Sequence, residues 1–303
     1  MENSINTTTG INPYLQASNT NLIKNINNPY LPVKSQIIKI IQETSSPDLD
    51  VKTYKIRLLS DDIFSFMPGQ FIEFSIPGIG ECPFGFASMM QEDGCFDITI
   101  KRTGKVTNRI HALDEGSFVW IRGPFGNTFP LELMEGNDLL IVAGGIGLAP
   151  LRPLIQYVLD DKNRNKYNNI DMLFAARSSA DHCFTYDYDD WNKNKNTKIR
   201  QTIDKDEPGW TGLVGFPHNL IQDISISKNN TYAILCGPPI MIKAVQKALT
   251  EKDLPLDKIY TTLEMRMTCG VGKCAKCNIG HQYICIDGPV FNMEQLVKMP
   301  NEY

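Results

Sequence analysis

Four cysteines near the end of the chain have a spacing that suits an iron–sulfur cluster. Cys269, Cys274, Cys277 and Cys285 are separated by four, two and seven residues. The first two intervals let one loop present three thiolates inward, as in plant-type ferredoxins, and a later turn brings the fourth. A four-cysteine zinc site is the alternative, but zinc ribbons usually arrange their ligands as two CxxC knuckles. We therefore predict a 2Fe-2S cluster at these four residues.

A glycine-rich loop follows an apolar run in the middle of the chain. Residues 144–150, Gly-Gly-Ile-Gly-Leu-Ala-Pro, come directly after the run at 138–143. A strand, a glycine turn and a helix N-terminus together offer unpaired N–H groups and a positive dipole end to a pyrophosphate. A plain turn into a helix is the alternative. Residues 236–241, Cys-Gly-Pro-Pro-Ile-Met, repeat the arrangement, so we expect both loops at the carboxyl edge of one sheet, where ligands bind.

Two earlier segments have residues that suit a flat ligand with a diphosphate. Residues 83–88, Pro-Phe-Gly-Phe-Ala-Ser, offer aromatic rings, and residues 102–108, Arg-Thr-Gly-Lys-Val-Thr-Asn, offer a glycine turn with hydroxyl and basic groups. By composition alone, a strand end and a hairpin are the simpler interpretations. The order of these segments relative to the later motifs favours a cofactor site.

Short runs typical of β-strands precede the glycine-rich loops and must position the first two segments. They lie at residues 36–41, 51–58, 70–76, 95–101 and 118–122. Several such runs, divided by Pro-Gly and Asp-Gly turns, predict an antiparallel barrel or sandwich.

The pattern then changes to buried strands alternating with helices. Apolar runs lie at residues 138–143, 170–175, 198–203, 232–236 and 259–263, with helices expected at 150–160 and 239–250. This alternation predicts a doubly wound parallel sheet. The last forty residues are rich in Cys and Gly and poor in core-forming residues, so we expect them to need a metal centre to fold.

Composition excludes several classes of protein. The 303 residues are 42% hydrophobic and 21% charged, with a net charge of -4, and no window approaches a membrane span. The basic residues form no stripe, so neither nucleic acid nor a membrane is an expected partner. The start of the chain lacks an export signal, and we expect a cytoplasmic protein whose bunched cysteines bind metal rather than form disulfides.

The first 34 residues are rich in Asn and Thr and show no apolar periodicity. This composition is typical of a flexible tail. The tetrapeptide Asn-Pro-Tyr-Leu occurs twice, at residues 12–15 and 28–31. Chance recurrence in an Asn-rich tract is one explanation. The other is that Tyr14 and Tyr30 anchor the tail along this protein or a partner subunit.

Taken together, these motifs resemble the ferredoxin-NADP reductase-like flavoproteins. The resemblance runs from about residue 31 to residue 291. It is closest to flavin and iron–sulfur electron-transfer subunits such as those of NAD(P)-linked hydrogenases, where they are called gamma, and of anaerobic sulfite reductase. It implies a flavin-binding antiparallel β-barrel at 35–132, an NAD(P)-binding doubly wound parallel sheet at 133–258 and a small 2Fe-2S domain at 259–303, after an extension at 1–34.

The resemblance also implies roles for individual residues. The flavin-lining segment corresponds to Pro83, Phe84, Gly85, Phe86, Ala87 and Ser88, with Phe84 or Phe86 facing the isoalloxazine ring. The segment that holds the flavin diphosphate corresponds to Gly104, Val106 and Thr107. The phosphate loop of the nicotinamide nucleotide corresponds to Gly144, Gly145, Gly147 and Pro150. The segment beside the nicotinamide, where hydride is exchanged, corresponds to Cys236, Gly237 and Pro238.

The flavin segment departs from the wider superfamily at two positions. Cys82 and Gly85 stand where an Arg and a Ser are usual. Binding of the flavin phosphate must then depend on Arg102, Lys105 or backbone groups, and the choice of FAD over FMN is less firmly indicated. Nucleotide choice is also open, because Arg177 follows the second strand of the parallel sheet and suits a 2'-phosphate, yet also occurs in family members that use NAD.

The resemblance implies an electron-transfer subunit of the diaphorase type. NAD(P)H gives two electrons to flavin, whereas an iron–sulfur cluster accepts one at a time. No residue set suggests reduction of a final substrate, so the expected partner is a separate catalytic subunit of the hydrogenase or sulfite reductase type, with further iron–sulfur subunits possible. The alternatives are the electron-transfer subunit of dihydroorotate dehydrogenase and an interaction protein that has lost flavin.

Overall fold

The computed structural model describes residues 28–60 and 64–300. The first Asn-Pro-Tyr-Leu copy, with Tyr14, lies outside the described residues. Within them, no helix combines the length and apolar character needed to cross a bilayer.

A six-stranded antiparallel sheet forms the first part of the chain. Its strands are β1 (Val33–Gln42), β2 (Val51–Leu58), β3 (Phe71–Ile76), β4 (Gly80–Gly85), β5 (Cys95–Lys101) and β6 (Phe118–Phe125). Their spatial order is β4-β3-β6-β1-β2-β5. An antiparallel bridge between Phe86 and Ile98 joins the two edge strands, which closes the sheet into the predicted barrel. The strand β4 was not expected, because Gly, Pro and Cys give it no alternating pattern.

The segment at 102–108 does not form the hairpin that its composition suggested. Gly104 is followed instead by a helix, α1 (Lys105–His111). The hydroxyl of Thr107 accepts hydrogen bonds from the N–H groups of Thr103, at 2.9 Å, and Gly104, at 2.8 Å. These bonds satisfy donors at the helix start that would otherwise lack partners, so the turn continues as a helix.

A seven-stranded sheet forms the second part and confirms the predicted parallel architecture. In spatial order its strands are β10 (Leu213–Val214), β9 (Thr197–Ile203), β8 (Ile170–Ala176), β7 (Asp138–Gly144), β11 (Thr231–Cys236), β12 (Ile259–Thr262) and β15 (Val290–Asn292). All neighbours pair in parallel except β15, which runs antiparallel to β12. Successive residues of β7 enter two different apolar cores, so both faces of the sheet are covered.

Helices connect the strands and cover the faces. They are α2 (Leu131–Met134), α3 (Leu148–Leu159), α4 (Thr185–Asn192), α5 (Pro217–Leu220), α6 (Pro239–Glu251), α7 (Ile284–Asp287) and α8 (Met293–Val297). Helix α4 was not expected, because three aspartates interrupt its apolar pattern.

The cysteine segment is inserted between two strands of the parallel sheet. Strand β12, which was predicted at the start of the cluster domain, pairs with β11. Strand β15 then returns beside β12, with Phe291 opposite Thr261. Between them lie a hairpin of β13 (Asn278–Ile279) and β14 (Gln282–Tyr283), and α7. The cysteine loop is therefore attached to the sheet at both of its ends.

Arg152 on α3 joins the barrel to the parallel sheet. Its Nη1 donates to the carbonyl of Ala87 at 2.7 Å and to Asp97 at 2.9 Å, while its Nε donates to Asp187 at 2.6 Å. The guanidinium also lies over the ring of Phe184 at 4.8 Å. The Arg152 side chain is almost fully buried, so its two carboxylate partners depend on it for compensation of their charge.

Replacing Arg152 with Met should therefore destabilise the fold. We expect Arg152→Met to lower the free energy of unfolding by about 3 kcal/mol, because two carboxylates lose their shared cation. Urea denaturation followed by tryptophan fluorescence measures this. Lys193→Met is the matched control, since its ion pair with Asp190 is exposed and should contribute little. Equal losses in the two variants would contradict the assignment.

Glu73 on β3 is fully buried, and neither of its carboxylate oxygens has a hydrogen-bond partner among the described residues. Burial raises the pKa of Glu73 from 4.5 to about 8, the negative charge of Glu81 adds to the rise, and Arg122 opposes it. The folded chain therefore keeps this proton at a pH where the unfolded chain has lost it. As the pH rises from about 4.5 to about 8, this difference lowers the stability of the folded state.

Replacing Glu73 with the uncharged isostere Gln should remove this pH dependence. Because one pKa unit corresponds to about 1.4 kcal/mol, we expect Glu73→Gln to gain about 1–3 kcal/mol relative to the wild type between about pH 5.5 and pH 8. Unfolding free energies across this range measure the gain. Glu92→Gln, at an exposed position, controls for general charge effects. A difference between Glu73→Gln and wild type that stays constant with pH would refute the prediction.

Candidate functional site

The first glycine-rich loop requires glycine because other backbone lies against it. A Cβ on Gly147 would lie 2.5 Å from the carbonyl oxygen of Cys236, and one on Gly144 would lie 2.5 Å from the sulfur of Met241. Gly145 has a φ of +54°. The loop leads directly into α3, which contains Pro150, so the free N–H groups at the start of that helix face the carboxyl edge of the sheet.

The second loop packs on the first. Gly237 has a φ of +154°, and a Cβ there would lie 3.0 Å from the Cα of Gly144. Helix α6 begins two residues later, after Pro238. The two loops therefore form one continuous edge, as the repeated motif predicted.

Cys236, at the end of β11, has a buried thiol. Its sulfur lies 3.2 Å from the hydroxyl of Thr262. Burial raises the pKa of Cys236 to about 12. The thiol therefore stays protonated near neutral pH, which suits an uncharged side chain that shapes a binding surface rather than a nucleophile.

A cavity of about 1200 Å³ opens above these loops. Both glycine loops line it, together with the end of β8, two residues at the end of the barrel's β5, and the cysteine segment. The last contributes Glu264 and Met265 from the connection after β12, and Val297 from α8. Glu264 was not assigned a role from sequence, although it belongs to the Leu-Glu-Met-Arg-Met motif that carried part of the resemblance.

Arg177 lies at the cavity after the second strand of the sheet. Its side chain is 64% exposed, and its Nε lies 3.7 Å from the Oδ2 of Asp181. Asp181 is buried, and its Oδ1 has no hydrogen-bond partner among the described residues. The Ser178 hydroxyl donates to Oδ2 at 3.1 Å. A cation and an unpaired carboxylate oxygen thus meet where nucleotide-binding sheets contact the ribose.

The predicted flavin segment contacts the nucleotide loop directly. A Cβ on Gly85 would lie 3.3 Å from the Cβ of Pro150, so the end of β4 and the start of α3 approach closely. Pro83 is paired with Glu73 on β3 and lies in the same strand. The glycine that replaces the usual serine therefore suits the close approach of the two cofactor segments.

The two candidate aromatic residues differ in their surroundings. Phe86 is 2% exposed and stacks on Phe66 with ring centroids 3.5 Å apart inside the barrel. Phe84 is half-buried and meets Phe74 edge-on, which leaves part of its surface accessible. Of the two alternatives, Phe84 is the one that retains surface for a flat ring.

Ala87 and Ser88, at the end of the same segment, have structural partners. Ala87 is buried and its carbonyl accepts a hydrogen bond from Arg152. The Ser88 hydroxyl donates to the carbonyl of Met89 at 2.8 Å and accepts from the N–H of Asp97 at 2.8 Å. These contacts fix the segment on the barrel and leave the hydroxyl engaged.

The predicted diphosphate segment offers mainly backbone and long basic side chains. The Nε of Arg102 donates to Asn108 at 3.1 Å. Gly104 and Lys105 are exposed, whereas the Thr107 hydroxyl is occupied by its own turn. The side chain of Val106 lies 3.0 Å from the position of a Cβ on Gly80, so α1 begins beside the flavin strand β4.

The cysteine loop directs backbone N–H groups at its sulfurs. The N–H groups of Val271 and Lys273 donate to the sulfur of Cys269, and that of Gly272 donates to the sulfur of Cys285 at 3.2 Å. Although burial opposes the effect, these bonds lower the pKa of Cys269 to about 6. Thiolates stabilised by N–H donors are the ligands that an iron–sulfur cluster needs.

The environment of the four cysteines differs from one side of the loop to the other. Cys277 and Cys285 are buried, Cys269 is half-buried and Cys274 is exposed. A Cβ on Gly270 would lie 2.7 Å from the ring of Phe125, so the loop rests on the barrel. Within the ranges that the structure describes, no group of three or more His, Cys, Asp or Glu side chains is arranged to hold a single metal ion.

Arg122 on β6 holds the cysteine loop against the barrel and was not identified from the sequence. It donates to both carboxylate oxygens of Glu81, through Nε at 3.0 Å and through Nη2. Nη2 also donates to the carbonyl of Thr268, and Nη1 donates at 2.9 Å to the carbonyls of Cys269 and Pro29. No sequence signal marks this residue, because its partners lie far from it along the chain.

Family models match three consecutive parts of the chain. Residues 39–129 match an oxidoreductase FAD-binding domain, and residues 141–247 match an oxidoreductase NAD-binding domain. Residues 264–297 match the iron–sulfur cluster binding domain of dihydroorotate dehydrogenase B. These matches confirm the predicted FAD, nicotinamide nucleotide and iron–sulfur cofactors, and they favour the cluster over the zinc alternative.

Two curated relatives and one solved structure resemble almost the whole chain. Sulfhydrogenase 1 subunit gamma of Pyrococcus furiosus is 39% identical over 280 residues, covering 90% of this chain and 94% of that subunit. A probable dihydroorotate dehydrogenase B electron transfer subunit of Thermococcus kodakarensis is 34% identical, covering 85% and 96%. The structure of an NADH-dependent reduced ferredoxin-NADP oxidoreductase superposes with a TM-score of 0.67 at 24% identity, covering 89% and 93%.

The identity to both relatives extends through all three cofactor-binding regions. Both are named as subunits, so the separate catalytic partner that the sequence predicted accords with them. The fold likeness agrees with the barrel and parallel sheet described above. The chain therefore belongs to the family of FAD-, NAD- and iron–sulfur-binding electron-transfer oxidoreductase subunits that includes these sulfhydrogenase gamma and dihydroorotate dehydrogenase B subunits.

Proposed function

We propose that this chain carries electrons between NAD(P)H and a hydrogenase-type catalytic subunit. The observation that carries the proposal is the cavity at which the nucleotide loops, the end of the barrel and the cysteine segment meet. The close approach of Gly85 to Pro150 supports an arrangement in which the nicotinamide and the flavin are neighbours.

Each region has its own task in this proposal. Bound FAD exchanges a hydride with the nucleotide, and a 2Fe-2S cluster carries single electrons. The glycine loops and the start of α3 bind the pyrophosphate through backbone N–H groups. The protonated Cys236 thiol and Gly237 provide an uncharged wall beside the nicotinamide, so no charge opposes hydride movement at that position.

The proposed flavin contacts follow from the surroundings of each candidate residue. Phe84 provides the accessible aromatic surface, and Gly85 allows the close approach of the nucleotide. Arg102 and Lys105, with the N–H groups at the start of α1, bind the diphosphate. Ala87 and Ser88 fix the segment on the barrel rather than contact the flavin.

The hydrogenase-type partner rests on sequence identity. The sulfhydrogenase gamma subunit is 39% identical to this chain, compared with 34% for the dihydroorotate dehydrogenase subunit. A dihydroorotate dehydrogenase-type partner is the second candidate, favoured by the description of the matched cluster domain. All eight cysteines are free, which supports a cytoplasmic location for the complex.

Removing one cluster ligand tests the electron route. Cys274 is exposed, so Cys274→Ala should fold, yet it removes a thiolate from the set. In the complex purified anaerobically with a tag on this chain, we expect acid-labile sulfide to be lost and NAD(P)H-driven reduction of the partner to fall at least about 100-fold. Flavin content and the reduction of a two-electron dye should stay within about twofold of the wild type.

Cys82→Ala is the matched control, because Cys82 is half-buried and outside the ligand set. It should keep both sulfide and partner reduction. Unchanged partner reduction in Cys274→Ala would overturn the proposed route. Wild-type protein that held neither flavin nor labile sulfide would overturn the function itself. The purified partner, identified by mass spectrometry, distinguishes a hydrogenase from a dihydroorotate dehydrogenase.

Arg177 provides the test of nucleotide binding. If it contacts a 2'-phosphate, Arg177→Gln loses a charge-assisted hydrogen bond worth about 1.5–3 kcal/mol. We expect the KM for NADPH to rise about tenfold or more and the KM for NADH to change by less than about twofold. Lys243→Gln, at another exposed basic residue lining the cavity, is the control. Equal changes for the two nucleotides would contradict a contact with the 2'-phosphate.

A further inference from the structure

We propose that the turn at residues 28–31, the second Asn-Pro-Tyr-Leu copy, is a docking element for the catalytic partner subunit. It acts together with the exposed edge of the cysteine loop. The inference rests on the proposed function, because it assumes that a partner receives electrons at the cluster. It goes further by assigning the surface and the chemistry of the partner that fits it.

The turn is rigid in its backbone and open in its side chains. The N–H of Tyr30 donates to the side-chain oxygen of Asn28 at 2.9 Å, and the N–H of Leu31 donates to the carbonyl of Asn28 at 3.2 Å. The fixed φ of Pro29 suits this turn. Tyr30 and Leu31 are nevertheless 53% and 65% exposed. The sequence thus orders a tetrapeptide whose two large apolar side chains are not buried by the described chain.

Arg122 attaches this turn to the first cluster ligand. A single nitrogen, Nη1, donates at 2.9 Å both to the carbonyl of Pro29 and to the carbonyl of Cys269. The Arg122 side chain is 7% exposed, so these bonds are largely shielded from water. The turn therefore has a fixed position beside the cysteine loop rather than elsewhere on the barrel.

The cysteine loop can meet a partner only on its outer side. Its inner side rests on Phe125, and Cys277 and Cys285 are buried. On the outer side Cys274 is exposed, and Ile286, next to Cys285, is 43% exposed. An electron acceptor must come close to the cluster, so this outer side is where a partner can bind productively.

The charge of the loop defines the partner further. Residues 265–286 contain Arg266, Lys273 and Lys276 but no Asp or Glu, in a chain whose net charge is -4. All three basic residues are exposed. Opposite potentials guide association, and apolar residues at the centre of an interface supply most of its affinity. The surface therefore fits a partner with an apolar patch for Tyr30 and Leu31 and acidic residues opposite the lysines.

Two double variants test this in the tagged full-length chain, loaded with its cofactors and produced with the partner subunit that co-purifies with it. Tyr30→Ser/Leu31→Ser removes the apolar contacts, and Lys273→Glu/Lys276→Glu reverses the charge. Their controls are Leu133→Ser, at a position 51% exposed on α2, and Lys162→Glu/Lys228→Glu, at exposed loops at the amino ends of the parallel strands.

We expect each docking variant to weaken binding of the purified partner at least about tenfold, while the controls stay within about twofold. The effect of Lys273→Glu/Lys276→Glu should shrink as salt rises, because screening weakens exposed charge pairs. Flavin content, the electron paramagnetic resonance signal of the reduced cluster and NAD(P)H-driven dye reduction should remain as in the wild type. These readouts separate lost docking from a damaged cluster.

Several outcomes would overturn the inference. Unchanged partner affinity in Tyr30→Ser/Leu31→Ser would exclude the turn as a docking element. A shift in the oligomeric state of the isolated chain, with partner affinity unchanged, would assign the surface to a second copy of this chain. Loss of affinity on deleting residues 1–27, without loss in Tyr30→Ser/Leu31→Ser, would assign docking to the first tetrapeptide copy. A wild-type chain that retains no partner would instead refute the proposed function.

Discussion

The arrangement of the cofactor regions depends on the guanidinium of Arg122. Its five N–H donors are shared among both oxygens of Glu81 and the carbonyls of Pro29, Thr268 and Cys269. A lysine has three donors on one nitrogen and no planar geometry, so it could not make this set of bonds. Because Arg122 lies on β6, the backbone of the first cluster ligand is held at a fixed position relative to the flavin barrel.

The same bonding explains the unusual state of Glu73. Arg122 is the cross-strand neighbour of Glu73, but every donor of Arg122 is engaged elsewhere. Glu73 therefore keeps no hydrogen-bond partner among the described residues, and burial raises its pKa. A protonated Glu73 avoids a second buried negative charge beside Glu81 and the thiolate of Cys269. The structure thus joins the barrel to the cysteine loop with one net ion pair.

The sequence predicted the elements whose signal is local. Strand β7 is a continuous apolar run, and the cysteines and glycine loops have characteristic spacings. Strand β15 has three residues, and its place in the sheet depends on pairing with β12, about thirty residues earlier in the chain. Arg122 and Arg152 were missed for a similar reason, because their partners are distant in sequence and an isolated arginine resembles any surface arginine.

The insertion of the cysteine segment between β12 and β15 has a consequence for electron transfer. A domain attached by a single linker would be free to change its distance from the flavin. Here both ends of the segment are hydrogen-bonded into the nucleotide-binding sheet, and its middle is tied to the barrel through Arg122. Helix α8, which follows β15, also lines the nucleotide cavity. The fold therefore holds all three cofactor regions in one arrangement, and the exposed Cys274 marks the side on which electrons leave it.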